Sequence, residues 1–302
     1  MIAGACRTND AVNPPTTAAS GLAASVPLPV SLQIEDLRKQ FDYERSSPLN
    51  YREENTGAAE GDVMTYDISY DSPRGGRTEA LLTVPAGAGP FAGMVFMGGL
   101  GATKLAMRGD AILYAKRGAV GVSISQSQTR SGHPGLFSYT PTDRDEIITT
   151  VLDLRRAVDL LLARHDVEPT RIGYEGFSHG AATGGLLAGV EHRISAFLLK
   201  SGGSLAFLRR EFPQSKAKKD EYLALMDSID QIRFVPHASP SALFLQNGTE
   251  DAFFGLDDMK AWHSAASEPK KARFYQSGHD LGGQAVLDGI VWLTERLRLE
   301  RS

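Results

Sequence analysis

Residues 171–190 run from a strand-like segment, Arg171 to Tyr174, through Gly176-Phe177-Ser178-His179-Gly180 into a helix of small residues reaching about Val190. A G-x-S-x-G string alone occurs in many proteins, but between a strand and a helix it has a physical meaning. A serine on so tight a turn is held in a strained backbone, and glycines on either side relieve the crowding. The helix that follows starts at the serine, so its N-terminal dipole favours negative charge developing there. Ser178 is the candidate nucleophile, and its loop is expected at the carboxyl edge of a sheet.

The rest of the chain supplies such a sheet. Val63 to Tyr70 and Thr78 to Pro85 read as strands joined by Asp71-Ser72-Pro73-Arg74-Gly75-Gly76, a hairpin turn. Further apolar β runs are Met94 to Met97, Ala119 to Ile124, Ser195 to Lys200, Ala242 to Gln246 and Ala272 to Tyr275. Helical spacing separates them over Lys104 to Arg117 and Asp143 to His165. In the second of these Ile147, Val151, Leu154, Val158 and Leu161 mark one buried face. Ala285 to Leu299 closes the chain with Val286, Ile290, Leu293 and Leu297 on one side. Strands alternating with helices predict a mainly parallel sheet covered on both faces and entered through the hairpin. Leu205 to Ser239, with an expected helix over Tyr222 to Ile232, reads as an insertion near the mouth of a pocket.

A serine hydroxyl is a weak nucleophile until a positioned base takes its proton, so a histidine and an orienting acid are needed. His279, in Ser277-Gly278-His279-Asp280 just after a strand, is the best placed of the seven histidines. His165, His192 and His263 are expected to be exposed or capping, and His133 to line the pocket. Asp251, just beyond the strand Ala242 to Gln246, is the candidate acid; Glu250 beside it is the rival, and Asp280 reads as a loop-capping residue. An oxyanion hole needs two backbone N–H groups. One is expected from His179, the other from Gly99 or Leu100 in Met97-Gly98-Gly99-Leu100-Gly101. Phe253 and Phe254 are candidates for an apolar pocket beside the acid.

Composition narrows the partners. The net charge of -4 gives no positive field for a phosphate backbone, so nucleic acid is not an expected partner. The Lys216, Lys218 and Lys219 cluster runs into Asp220 and Glu221 and reads as a solvated face. The single cysteine, Cys6, allows no internal disulfide and no cysteine-based metal site, and no metal is expected. No run of about 18 apolar residues is present, so no transmembrane segment is expected. Residues 1–30 read as a flexible tether or a signal remnant, with Ala3-Gly4-Ala5 fitting a cleavage site, ahead of one domain over 31–302. The compartment stays open: cytoplasmic or, if residues 1–6 are a signal remnant, secreted, periplasmic or lipid-anchored. Oligomeric state is equally open.

From about Val63 to the end, the glycine loop after Met97, Gly176-Phe177-Ser178-His179-Gly180, Asp251 and His279 resemble the α/β-hydrolase superfamily. The compact insertion and the Asn247-Gly248-Thr249-Glu250-Asp251 loop are similar to its dienelactone-hydrolase-like and acetyl-esterase-like branch. The chain departs from that branch in carrying Ser178 where dienelactone hydrolases use cysteine, and Met97 in place of the histidine of a frequent His-Gly motif. The resemblance implies an eight-stranded-type sheet, with residues 205–239 as a cap-like insertion before the acid-bearing strand. It implies carboxylic ester cleavage without a cofactor, acting on a small-molecule ester. Two alternatives remain at this stage: a prolyl-oligopeptidase-like peptidase or acylaminoacyl hydrolase, and a catalytically silent binding protein of the same fold.

Overall fold

The apolar runs of the sequence become the middle of one ten-stranded sheet. The structure, a computed structural model, describes residues 33–299 apart from 56, 133–136 and 216. The tether, Cys6, the Ala3-Gly4-Ala5 string, His133 and Lys216 lie outside the described residues.

The strands are β1 (Arg52–Glu53), β2 (Ala58–Glu60), β3 (Val63–Asp71), β4 (Arg77–Pro85), β5 (Phe91–Met97), β6 (Ala119–Ile124), β7 (Val167–Phe177), β8 (Ala196–Lys200), β9 (Ala242–Gly248) and β10 (Lys270–Tyr275). Their order is β1-β3-β4-β6-β5-β7-β8-β9-β10, with β2 also paired to β3. The β3–β4 hairpin is antiparallel from Val63↔Pro85 to Asp71↔Arg77, and β4 meets β6 antiparallel. From β6 through β5, β7, β8 and β9 to β10 every pairing is parallel. The two strands beyond the expected eight, β1 and β2, are short additions on the hairpin side.

Ten α-helices and three short 3₁₀ helices complete the described chain; the α-helices are α1 (Ile34–Arg38), α2 (Arg108–Ala115), α3 (Ser127–Ser131), α4 (Pro141–Leu162), α5 (His179–Ala188), α6 (Leu208–Glu211), α7 (Lys219–Asp227), α8 (Gln231–Phe234), α9 (Leu256–Ala265) and α10 (Gly283–Leu297). Strand β5 shows why both sheet faces need cover. Val95 and Met97 join the core under α4 and α5, while Met94 and Phe96, pointing the other way, join that under α2 and α10. Helix α4 buries Ile147, Val151, Leu154, Val158 and Leu161 as the spacing predicts. Truncating any one of these to alanine should cost roughly 2–5 kcal/mol.

Helix α10 departs from expectation in which stripe it buries. Ala285, Gly289, Trp292, Leu293 and Leu297 face the sheet, whereas Val286 is exposed and Ile290 half-buried. The bulky Trp292 ring packs on Phe244 at 5.6 Å and rotates the contact face towards itself. The insertion also differs. The helix expected over Tyr222 to Ile232 breaks at Asp227, and Asp230 caps a new one, accepting the Ile232 N–H at 3.1 Å. Its other oxygen takes Ser204 Oγ–H at 2.9 Å and the Leu205 N–H at 3.2 Å, so this one carboxylate ties both ends of the insertion together. Leu205, Leu208, Phe212, Tyr222 and Phe234 are buried in the same core as α4 and α5.

Candidate active site

Every loop that carries a candidate group leaves the carboxyl end of a parallel strand, so the sheet itself collects them at one edge. Strand β7 runs straight into the turn at Ser178, whose backbone sits at φ 55° and ψ −114°. A non-glycine residue there carries about 1–3 kcal/mol of strain, held in place by its surroundings. The Ser178 N–H donates to the Lys200 carbonyl at 2.8 Å, and the Ser178 carbonyl accepts the Ala182 N–H at 3.0 Å. Both flanking glycines are required sterically. A Cβ on Gly176 would lie 2.3 Å from the Gly180 oxygen, and one on Gly180 would lie 2.1 Å from the Met97 oxygen.

Ser178 Oγ lies 2.8 Å from His279 Nε2, and His279 Nδ1 lies 2.8 Å from Asp251 Oδ2. The Asp251 side chain has no exposed surface, while His279 keeps 16% of its own. The second Asp251 oxygen accepts the N–H groups of Phe253 at 2.8 Å and Phe254 at 3.1 Å. Burial alone would raise the pKa of this carboxyl. The hydrogen bonds from His279, Phe254 and Phe253 outweigh it and hold the group below its ordinary value. A carboxylate fixed in this way assigns the proton of the neutral ring to Nδ1, leaving Nε2 to accept from the serine.

Two further contacts set the imidazole. Ser201, buried with φ 55°, donates its hydroxyl to the His279 carbonyl at 2.6 Å. The acid loop and the histidine loop run so close that a Cβ on Gly248 would meet the Ser277 and Gly278 carbonyl oxygens at 2.3 and 2.2 Å. Glu250 and Asp280 are both exposed; the Glu250 N–H donates to the Ser277 carbonyl at 3.0 Å, which ties the two loops together through the backbone.

The strand β5 loop passes over the serine. A Cβ on Gly99 would lie 3.7 Å from Ser178 Cβ and 4.0 Å from its Oγ. Among the described residues the N–H groups of Gly99, Leu100 and His179 have no hydrogen-bond partner. For His179 the first turn of α5 leaves it so. Of the three, Gly99 is in the stretch that passes within van der Waals distance of Ser178, and His179 follows the serine in the chain.

Rings enclose the imidazole. Phe253 lies edge-on at 4.6 Å, Phe177 at 5.3 Å and Phe254 stacks at 6.1 Å. From Phe254 the contacts continue to Phe207 of the insertion at 5.5 Å, then to Phe137 at 5.9 Å and on to the His179 ring at 6.2 Å. Phe253 is 64% exposed and forms the rim; Phe254 is buried. The His179 ring is itself buried, and burial pushes its pKa down to about 4.

Sequence reasoning missed Ser201, Phe137, Phe207 and Gln126, whose place in the loop after β6 is described below. It also misjudged His263, which is buried under β10 rather than exposed or capping. Its Nε2 is 2.7 Å from Asn247 Oδ1 and its ring 4.6 Å from that of Phe274. His165 and His192 are exposed, as expected. Among the described residues no helix is long and apolar enough to cross a membrane.

Comparison with solved structures identifies the architecture. Acetyl xylan esterase 1 from Thermoanaerobacterium sp. JW/SL YS485 superposes with a TM-score of 0.76 at 16% identity, covering 89% of this chain and 95% of that one. An acetyl xylan esterase from Paenibacillus sp. R4 gives 0.73 at 15% identity over 87% of this chain and 92% of its own. A putative dienelactone hydrolase from Klebsiella pneumoniae subsp. pneumoniae MGH 78578 gives 0.58 at 16% identity over 79% and 99%. No protein-family model matches the sequence, and no curated protein matches it. The chain has the α/β-hydrolase fold, and its fold neighbours include the acetyl esterases and dienelactone hydrolases that its loops resemble.

Proposed function

We propose that this protein is a serine hydrolase that cleaves carboxylic esters through an acyl-enzyme intermediate, with Ser178 as nucleophile, His279 as general base and acid, and Asp251 as the group that orients His279. The observation that carries the reading is the unbroken line from Asp251 through His279 to the Ser178 hydroxyl, 2.8 Å at each step.

The chemistry follows from those positions. His279 Nε2 takes the hydroxyl proton as Ser178 Oγ bonds to the ester carbonyl carbon, and the buried Asp251 carboxylate stabilises the imidazolium that results. The carbonyl oxygen, now an anion, is met by the His179 N–H and by the N–H of Gly99 or Leu100. The imidazolium returns its proton to the departing alkoxide, which leaves as the alcohol. Water then repeats the sequence on the acyl-serine, releasing the acid and restoring the hydroxyl.

Phe253 and Phe254, extended by Phe207 and Phe137, give the ester's substituents an apolar, aromatic wall rather than a polar one. His133, the remaining candidate for substrate contact, lies outside the described residues. The names of the fold neighbours add acetyl esters to the substrates worth testing. The test is turnover of p-nitrophenyl esters from acetate upward against aminoacyl p-nitroanilides. Ester turnover that is abolished in Ser178→Ala supports the reading. Faster turnover of the amides favours a peptidase, and no turnover of either by folded protein favours a binding role.

A further inference from the structure

The loop that crosses Ser178 is tied down by one side chain that sequence reasoning passes over. Gln126 follows strand β6 in Ser125-Gln126-Ser127-Gln128 and is fully buried. Its amide nitrogen donates to the carbonyls of Gly98, at 3.1 Å, and of Gly99, while its amide oxygen accepts the Gly101 N–H at 3.1 Å. The Gln126 N–H donates to the Ala102 carbonyl at 3.2 Å, and the Lys104 N–H donates to Ser125 Oγ at 3.0 Å. The side-chain amide therefore spends both its protons and one acceptor site on consecutive peptides of a single loop.

The consequence is directional. In a planar trans peptide the N–H points opposite to the C=O. The carbonyl of Gly98 shares its peptide with the Gly99 N–H, and that of Gly99 shares its peptide with the Leu100 N–H. With both carbonyls held on the Gln126 side, both N–H groups face away from it. Neither has a partner among the described residues, and the loop crosses Ser178 at Gly99. The Gly99 carbonyl also accepts the Ala102 N–H at 3.0 Å, so the amide shares the Gly99–Leu100 peptide with that turn and holds the Gly98–Gly99 peptide by itself. Without the amide, a rotation of the Gly98–Gly99 peptide would point a carbonyl oxygen at the serine, which repels an oxyanion rather than binding it.

We propose that Gln126 is a positioning residue for the oxyanion hole: its amide sets the orientation of the Gly98–Gly99 peptide, helps the Ala102 N–H to hold that of the Gly99–Leu100 peptide, and so keeps their N–H groups available to the transition state. This rests on the ester-hydrolase reading above. A residue with this task should matter to the tetrahedral species and not to the ground-state ester, whose carbonyl oxygen carries little charge. Losing an oxyanion donor outright lowers kcat by about 10²–10³. Losing only its orientation should lower kcat by about 10–100-fold, with KM within about threefold of the parent.

The experiment compares Gln126→Met, which keeps the packing and removes the amide, with Gln126→Glu, which keeps the shape and replaces the donor by an acceptor. Each is assayed with p-nitrophenyl acetate and with an alkyl trifluoromethyl ketone, which adds to the serine to form a stable oxyanion. Thermal melting reports folding. The expected result is a fall in kcat with KM nearly unchanged, and a trifluoromethyl ketone inhibition constant that rises by the same factor as kcat/KM falls. The glutamate variant, which turns an acceptor on two carbonyls, should be the worse of the two. Retention of kcat within threefold in either folded variant overturns the proposal. So does a loss of activity in which KM rises in step and the ketone's affinity is unchanged, and so does the glutamate variant matching the parent if the methionine variant fails to fold. Ser178→Ala is run in parallel: turnover that survives there sinks the ester-hydrolase reading itself, a result distinct from any outcome at Gln126.

Discussion

At the scale of single residues the account rests on three side chains with unequal surroundings. Asp251 has no exposed side-chain surface and satisfies both oxygens with three donors, so Asp251→Asn keeps the shape and loses the charge. An asparagine amide facing His279 Nδ1 would favour the tautomer with its proton on Nε2, which cannot accept from Ser178. We expect kcat to fall by about 10³–10⁴ with the melting temperature little changed, measured by ester turnover alongside circular dichroism. A fall under tenfold would remove Asp251 from its role. These three residues were legible because each sits in a loop with its own signature: a serine between glycines, a histidine after a glycine, an acid just past an apolar strand. Ser201 and Gln126 were not, since each acts by bonding to a backbone carbonyl of another loop. A single serine or glutamine carries no spacing that reports such a partner.

At the scale of elements the same edge of the sheet is held by close backbone contacts. Gly180→Ala would place a methyl carbon 2.1 Å from the Met97 oxygen and 2.8 Å from that of Gly98, both main-chain atoms that cannot swing aside. We expect this variant to melt lower and to lose turnover together, because helix α5 must move away from the β5 loop. A variant with unchanged melting and turnover would contradict the close approach. The insertion makes a different prediction. Phe207 of the insertion lies 5.5 Å from Phe254 and 5.9 Å from Phe137, so Phe207→Ala should open the aromatic wall without touching the triad. Its effect should appear as a several-fold rise in KM for long-chain or aryl esters with acetate little affected, read from a chain-length series. Strand and helix identities were readable because β5, β6 and β8 are short apolar runs buried on both faces, while α4 carries Ile147, Val151, Leu154, Val158 and Leu161 at three- and four-residue intervals. The face of α10 was not, because the placement of Trp292 on Phe244 decides it, a contact made across 48 residues of sequence. The broken insertion helix likewise depends on Asp230 finding Ser204 and Leu205.

At the scale of the whole molecule, folding and acidity are linked through buried histidines. Burial first, and then the Lys270 charge, push the His263 pKa down to about 4 from an ordinary 6.5. Because the folded value is the lower one, the unfolded chain binds more protons between the two. Stability from this group is complete above about pH 6.5 and is lost as pH falls towards 4. The difference across that window is of order 3 kcal/mol. His263→Gln should therefore flatten the acid side of the stability curve relative to the parent, as followed by urea unfolding at several pH values. Parallel curves would show that His263 is not held neutral. The fold as a whole was the most legible layer, since alternating apolar strands and amphipathic helices admit few arrangements, and the superposed esterases share that arrangement at 15–16% identity. The central claim is narrower than the fold: one hydroxyl, at the elbow after β7, is activated by its histidine. It is tested most directly by exposing the protein to a fluorophosphonate and mapping the adduct by peptide mass spectrometry. The account predicts a single phosphonyl group on Ser178, formed rapidly in the parent and slowly in His279→Ala. Labelling at any other residue, or folded protein that hydrolyses esters while Ser178 stays unmodified, would contradict it.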